Sequence, residues 1–190
     1  MPLHLTLRVR PDTPRLRRGR CTRVLRSCFA AGKDRFGFRL VHFSIQSNHL
    51  HLIAEADDAR ALARGMQGLA IRCARRLNRA VGRSGKVFTA RYHLHVLRTP
   101  TEVRRALAYV LGDARKHLGV RDAEWADPCS SAVFFEGWHR PVRDLRVEGD
   151  GPVPVVPARS WLLTEGWQMA GGPLEADRGP PGAARGAARG

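Results

Sequence analysis

Two tyrosines, Tyr92 and Tyr109, and three lysines, Lys33, Lys86 and Lys116, are all that this chain of 190 residues carries of either type. No apolar run approaches the ~20 residues that a membrane helix needs, so no membrane partner is expected. Met1-Pro2-Leu3-His4 lacks the charged-then-apolar order of a signal peptide, and a cytoplasmic protein is the expectation. The four cysteines, Cys21, Cys28, Cys73 and Cys129, contain no C-x-x-C pair. That argues against a zinc site and for reduced, mostly buried thiols. Acidic residues are scarce too, 17 against 33 lysines and arginines.

What is present is positive charge. The formal net charge is +16 and 30 of the basic residues are arginines. An excess of this size implies a polyanionic partner, most often nucleic acid. A GC-rich coding bias accounts for arginine over lysine, but not for the shortage of acids around the arginines. From Arg60 to Arg91 there are nine basic residues and no acidic one.

Hydrophobic periodicity divides the chain. Leu3, Leu5, Leu7 and Val9 alternate with polar residues, as in a half-buried strand. Leu16 to about Lys33 reads as a basic helix. Phe38–Ile45 and His49–Ala54 read as an antiparallel hairpin around Gln46-Ser47-Asn48. A helix follows to about Val81, with Leu62, Met66, Leu69, Cys73 and Leu77 as its core stripe. Tyr92–Leu97 reads as a fourth strand, and Pro100 opens a helix that Gly119 stops.

The order β-α-β-β-α-β is that of a ferredoxin-like α+β fold. It predicts an antiparallel sheet with helices on one face, followed by a further helix. The other sheet face is expected to stay open for function. His4, His42, His49 and His51 share it if Leu5, Val41 and Leu50 face the helices. Residues 1–121 form the expected domain, 122–172 an extension with short packed segments, and 173–190, rich in Gly, Ala and Arg, a disordered tail.

The chemistry concentrates in Asn48-His49-Leu50-His51-Leu52-Ile53. Strand side chains alternate, so His49 and His51 point the same way, about 7 Å apart along the backbone. Leu50 and Leu52 anchor the strand from the other side. Two imidazoles so placed can grip one divalent ion. Tyr109 falls roughly opposite the apolar stripe Val103, Leu107, Val110, Leu111, Ala114 and Leu118 of the last helix, with Asp113 one turn beyond it. A His pair, a tyrosine and an oxygen ligand are the parts needed to cut a phosphodiester through a covalent phosphotyrosine. His93 and His95 form a rival pair by spacing alone. Tyr92 adjoins that pair on its own strand, which is awkward for delivering a nucleophile to a bound ion.

The motif around His49 and His51, the segment Gly85-Lys86-Val87-Phe88-Thr89-Ala90-Arg91-Tyr92-His93 and the helix Ala108–His117 together resemble the single-tyrosine HUH transposases. The nearest group is the insertion-sequence-200-like and REP-associated tyrosine transposases. The resemblance spans roughly Leu3 to Gly119. It implies a ferredoxin-like fold, single-stranded DNA with hairpins as substrate, and Mg²⁺ or Mn²⁺ as cofactor. Carried over residue by residue, it makes His49 and His51 metal ligands and Tyr109 the nucleophile. Asp113 falls where the family places a third ligand, usually an amide side chain. Arg72, Arg75, Arg76 and Arg79, with Lys86, Arg91, His93 and Lys116, are assigned to DNA contact.

A domesticated protein that binds DNA hairpins without cutting them is the alternative. An RNA-binding module of the same fold lacks the strand aromatics that stack bases. The sequence leaves open whether Tyr109 serves its own chain's site or that of a partner in a homodimer.

Overall fold

The computed structural model describes residues 1–89, 91–120, 122, 124–143 and 151–176, with only the backbone of 113–117 described. Five strands form one antiparallel sheet: β1 (Pro2–Arg8), β2 (Asp34–Arg35), β3 (Phe38–Ile45), β4 (His49–Ala56) and β5 (His93–Val96), in the order β2-β3-β4-β1-β5. Apart from the two-residue β2, this is the ferredoxin-like α+β arrangement expected from the element order. β1 is an interior strand: Leu3, Leu5 and Leu7 are buried and both of its edges are paired.

Helices α1 (Gly19–Gly32) and α2 (Ala59–Val81) cover one face. Asp58 caps α2 by accepting from the Ala61 amide at 2.6 Å, and Gly82 ends it in the left-handed region at φ 67°. Gly65 lets α2 close onto β3. A Cβ there would lie 2.2 Å from the Phe38 side chain, so any other residue would force the layers apart. Cys21, Cys28, Cys73 and Cys129 are all free and buried in this core.

The short β2–β3 turn is strained. Phe36 and Gly37 adopt φ 55° and 77°, the signs of a type I′ turn. Glycine tolerates this and phenylalanine does not, and the Phe36 ring is 69% exposed, so packing does not compensate. Phe36→Asn is expected to raise stability by about 1 kcal/mol, read as an increase in the urea midpoint. An unchanged midpoint would mean that the turn carries no strain.

The opposite face is not left open, which corrects one expectation. α3 (Pro100–Leu118) crosses it over β3 and β4. A capping box starts α3: the Glu102 amide donates to Thr99 Oγ1, and Glu102 Oε2 accepts from the Thr99 and Arg98 amides. Val103, Leu107 and Val110 pack on Val41 and Ile53 of the sheet, and on Phe135, Leu163 and Trp167 of the C-terminal region. Because α3 is covered on two sides, its buried arc also takes in Ala106 and Ala108, whereas Leu118, expected on the stripe, is 53% exposed.

The apolar patch that receives α3 comes from a β-bulge. Leu40 pairs with Ala54 and His42 with Ile53, which leaves Val41 as the extra residue. Val41 and His42 therefore both face α3, and Val41 does not point to α1 and α2 as strict alternation predicts. Leu5 and Leu50 do face those helices.

The C-terminal region also closes the outer edge of β3. The Ile45 amide donates to the Cys129 carbonyl, the Ser131 amide to Phe43, and the Val156 amide to Leu40. Two buried acids secure it. Asp127 receives both guanidinium nitrogens of Arg17 at 2.8 Å. Glu55 accepts from the Arg159 and Ser160 amides, with Arg39 Nε 3.6 Å away. Packing continues past residue 172 to Leu174, which is buried and whose amide donates to Gly137. Residues 177–190, expected as a disordered tail, lie outside the described residues.

Burial pushes the His42 imidazole down to about 4, with Ser131 Oγ 3.2 Å from its Nδ1. A histidine buried neutral opposes folding once the unfolded chain takes up its proton. Its contribution is complete above the unfolded value near 6.5 and is lost as pH falls toward 4. Stability is expected to drop by about 2 kcal/mol between pH 8 and pH 5 from this group. Urea titrations at several pH values check this, with His42→Gln expected to flatten the slope. An equal slope in the variant would assign the effect to other groups.

Candidate active site

The site is built on the sheet face that carries α3. The β1–β4 register sets Arg8 opposite His49, Thr6 opposite His51 and His4 opposite Ile53. The leucines of both strands point into the α1–α2 core, so these polar residues all project to the other side.

His49 and His51 meet edge to face, with ring centroids 4.6 Å apart. Their Nε2 atoms are 2.8 Å apart. His49 Nδ1 lies 2.7 Å from Asn48 Oδ1, so the residue before the pair orients its first ring. His51 Nδ1 lies 3.1 Å from Thr6 Oγ1 and 3.2 Å from His4 Nε2. Burial, then the neighbouring His49, His4 and Arg8, push His51 down to about 3. Burial and His95 push His4 down to about 4. Both rings are therefore neutral near pH 7, the form in which an imidazole offers a lone pair.

Two ring nitrogens 2.8 Å apart fit one ion held about 2.1 Å from each. Among the described residues no group of three His, Cys, Asp or Glu side chains completes a metal cluster. Asp113, the expected third ligand, has its side chain outside the described residues, and so has Lys116.

Tyr109 arrives from α3. Its ring is 5.0 Å from that of His51, nearly perpendicular at 82°, and 6.1 Å from that of His4. It is half-buried at the rim of the second core. The same chain thus brings the tyrosine and the histidine pair together.

The rival pair turns out to lie on the same face. His93 stands opposite Thr6 and His95 opposite His4, two strands away from His49 and His51. Both are exposed, and His95 Nε2 is 3.8 Å from Glu102 at the start of α3. Lys86 and Arg91 are exposed in the connection before β5.

The α2 arginines are elsewhere. α2 lies on the far side of the sheet from the histidines. Arg76 donates to Ser27 of α1 at 2.8 Å and Arg72 packs against Gly32, so both tie the helices together. Arg75 and Arg79 are exposed. A cavity of about 690 Å³ between β3 and the C-terminal region, lined by His42, Phe135 and Trp167 among others, does not include the histidine pair.

Residues missed by sequence reading are Thr6 and the role of His4. Their period-two placement on β1 was visible, but the pairing that sets them against His51 is long-range.

No curated protein matches the chain in sequence. Among solved structures it is similar to a REP-associated tyrosine transposase bound to a REP hairpin, with TM-score 0.56 and 18% identity over 76% of this chain and 88% of that one. It is also similar to a putative transposase from Deinococcus radiodurans R1, at TM-score 0.44 and 14% identity over 63% of this chain and 88% of that one. The first likeness supports the fold alone. The family model described as "Transposase IS200 like" matches residues 1–110, more than half of the chain and a span that contains His49, His51 and Tyr109. The chain belongs to the IS200-like transposase family.

Proposed function

We propose that the chain cuts and rejoins single-stranded DNA at hairpins through a 5′-phosphotyrosine on Tyr109, using Mg²⁺ or Mn²⁺ held by His49, His51 and Asp113. The observation that carries this reading is the packing of the Tyr109 ring against His51 within one chain. The solved relative bound to a REP hairpin supports a hairpin as ligand.

A hard divalent ion, when bound, supplies positive charge that offsets the charge of the scissile phosphate. His49 and His51 orient toward one point, and β4 holds them rigidly through Leu50 and Leu52. Tyr109 Oη attacks phosphorus and loses its proton. The bond from phosphorus to the 3′ oxygen breaks, and that oxygen leaves as a hydroxyl after gaining a proton. The bond energy is kept in the phosphotyrosine, so a second 3′-hydroxyl can reverse the step and join a new strand. A homodimer is not required to complete this site. His93 lies on the histidine face, Arg91 is exposed in the connection just before it, and both serve the cleaved strand. Arg75 and Arg79 on α2 contact phosphates away from the cut, and that contact weakens with salt.

Labelled single-stranded hairpins from DNA flanking the gene, incubated with Mg²⁺ or Mn²⁺, test the reading. A metal-dependent protein–DNA adduct that survives denaturation is expected. Tight, salt-sensitive binding without an adduct would replace it with a DNA-binding protein that does not cut.

A further inference from the structure

The β1 side of the site has no role in the chemistry set out above, yet two of its residues converge on the ring nitrogen of His51 that faces away from His49. Thr6 Oγ1 and His4 Nε2 lie 3.1 and 3.2 Å from His51 Nδ1. A neutral imidazole carries one proton on one of two nitrogens, and only the bare nitrogen can bind a metal ion. His51 presents Nε2 to His49. For that atom to be bare, the proton must reside on Nδ1. An Nδ1–H donor needs acceptors, and Thr6 and His4 are the acceptors in place. With the proton on Nε2 instead, the 2.8 Å approach of the two Nε2 atoms would itself be a hydrogen bond and would offer no chelating pair.

We infer that His4 and Thr6 are positioning residues that hold the proton of His51 on Nδ1 and so keep its Nε2 bare toward His49. The inference rests on the proposed reading of His49 and His51 as metal ligands. His4 is well placed for the task, because its ring touches His51 at 5.3 Å and also edges against Tyr109. Ligand and nucleophile thereby share one supporting ring. Outer partners of ligating histidines commonly act in this way, and their loss weakens metal binding about 10–100-fold.

The test uses the full chain as Thr6→Val, His4→Gln, and the double variant Thr6→Val/His4→Phe. Two quantities are measured: the tautomer of His51 by long-range ¹⁵N–¹H NMR without metal, and Mn²⁺ affinity by calorimetry. His49→Ala serves as the control that locates the ion, and circular dichroism confirms folding. In the parent protein His51 is expected as the Nδ1–H tautomer. The double variant should lose that preference and bind Mn²⁺ about 10–100-fold more weakly. His4→Gln should keep most of the affinity, since its amide oxygen can accept where Nε2 did. An unchanged tautomer and an affinity within twofold in the double variant would overturn the inference. A parent protein whose Mn²⁺ binding is absent, or indifferent to His49→Ala, would overturn the metal reading instead. The His51 tautomer would still decide the role of His4 and Thr6.

Discussion

Tyr109→Phe is expected to remove the covalent DNA adduct and lower cleavage by about 10⁴-fold or more, while hairpin binding stays within about twofold. The substitution deletes only the hydroxyl. The ring that packs at 5.0 Å on His51 and fills the rim of the second core remains, so the fold is preserved. In the proposed reaction the phenol oxygen is the atom that bonds to phosphorus, and the substitution leaves nothing to replace it. His49→Ala makes the complementary case: adduct formation should vanish together with Mn²⁺ binding, because the 2.8 Å nitrogen pair is broken. Gel analysis of denatured reactions and calorimetry separate the two effects. An adduct that persists in Tyr109→Phe would move the nucleophile elsewhere, with Tyr92 the other tyrosine to test.

Asp127→Ala is expected to cost about 3 kcal/mol of stability and to loosen the C-terminal region before the sheet unfolds. The Asp127 side chain is 1% exposed and takes both nitrogens of Arg17 as well as the Cys129 amide. Its removal leaves the guanidinium uncompensated in charge, though still bonded to the Ile45 carbonyl, and strands the buried Cys129 amide. The loss sits at the lower end of the range for broken buried pairs because Arg17 is 18% exposed and can regain water. The same contact holds the Arg17 guanidinium above its usual range. Urea unfolding gives the magnitude, and limited proteolysis at 122–143 shows where the loosening begins. A change below about 0.5 kcal/mol would mean that the bridge adds nothing beyond the surrounding packing.

What could be read from the chain follows from how local each signal is. His49, Leu50, His51 and Leu52 announce a strand with two opposite faces, because period two is visible within four residues. Met66, Leu69, Cys73 and Leu77 announce α2 in the same way. The face on which α3 lands was not legible. It depends on the bulge at Val41 and His42, where a slip in pairing turns one apolar residue round, and no composition rule marks that slip. Thr6 was invisible as a partner of His51 for the same reason: the two are neighbours only through the β1–β4 register. The α2 arginines were legible as a basic stripe, but the side of the sheet they occupy was not. No local pattern marks Glu55 and Asp127 as buried anchors, because their partners, the Arg159 amide and Arg17, are far away in sequence.

The closure of the β3 edge by Cys129–Ser131 and Val156 bears on how this protein is made. A nascent chain that has emerged only as far as α3 carries every strand of the sheet, but its outer edge still offers unpaired amides and carbonyls. Val41, Ile53 and the α3 valines then lack the aromatic cover of Phe135 and Trp167. An open edge beside an apolar patch is a template for association with other chains. The segment after α3 thus acts as a built-in chaperone for the strands that precede it, and a chain shortened to the family-matched region would be expected to aggregate during synthesis.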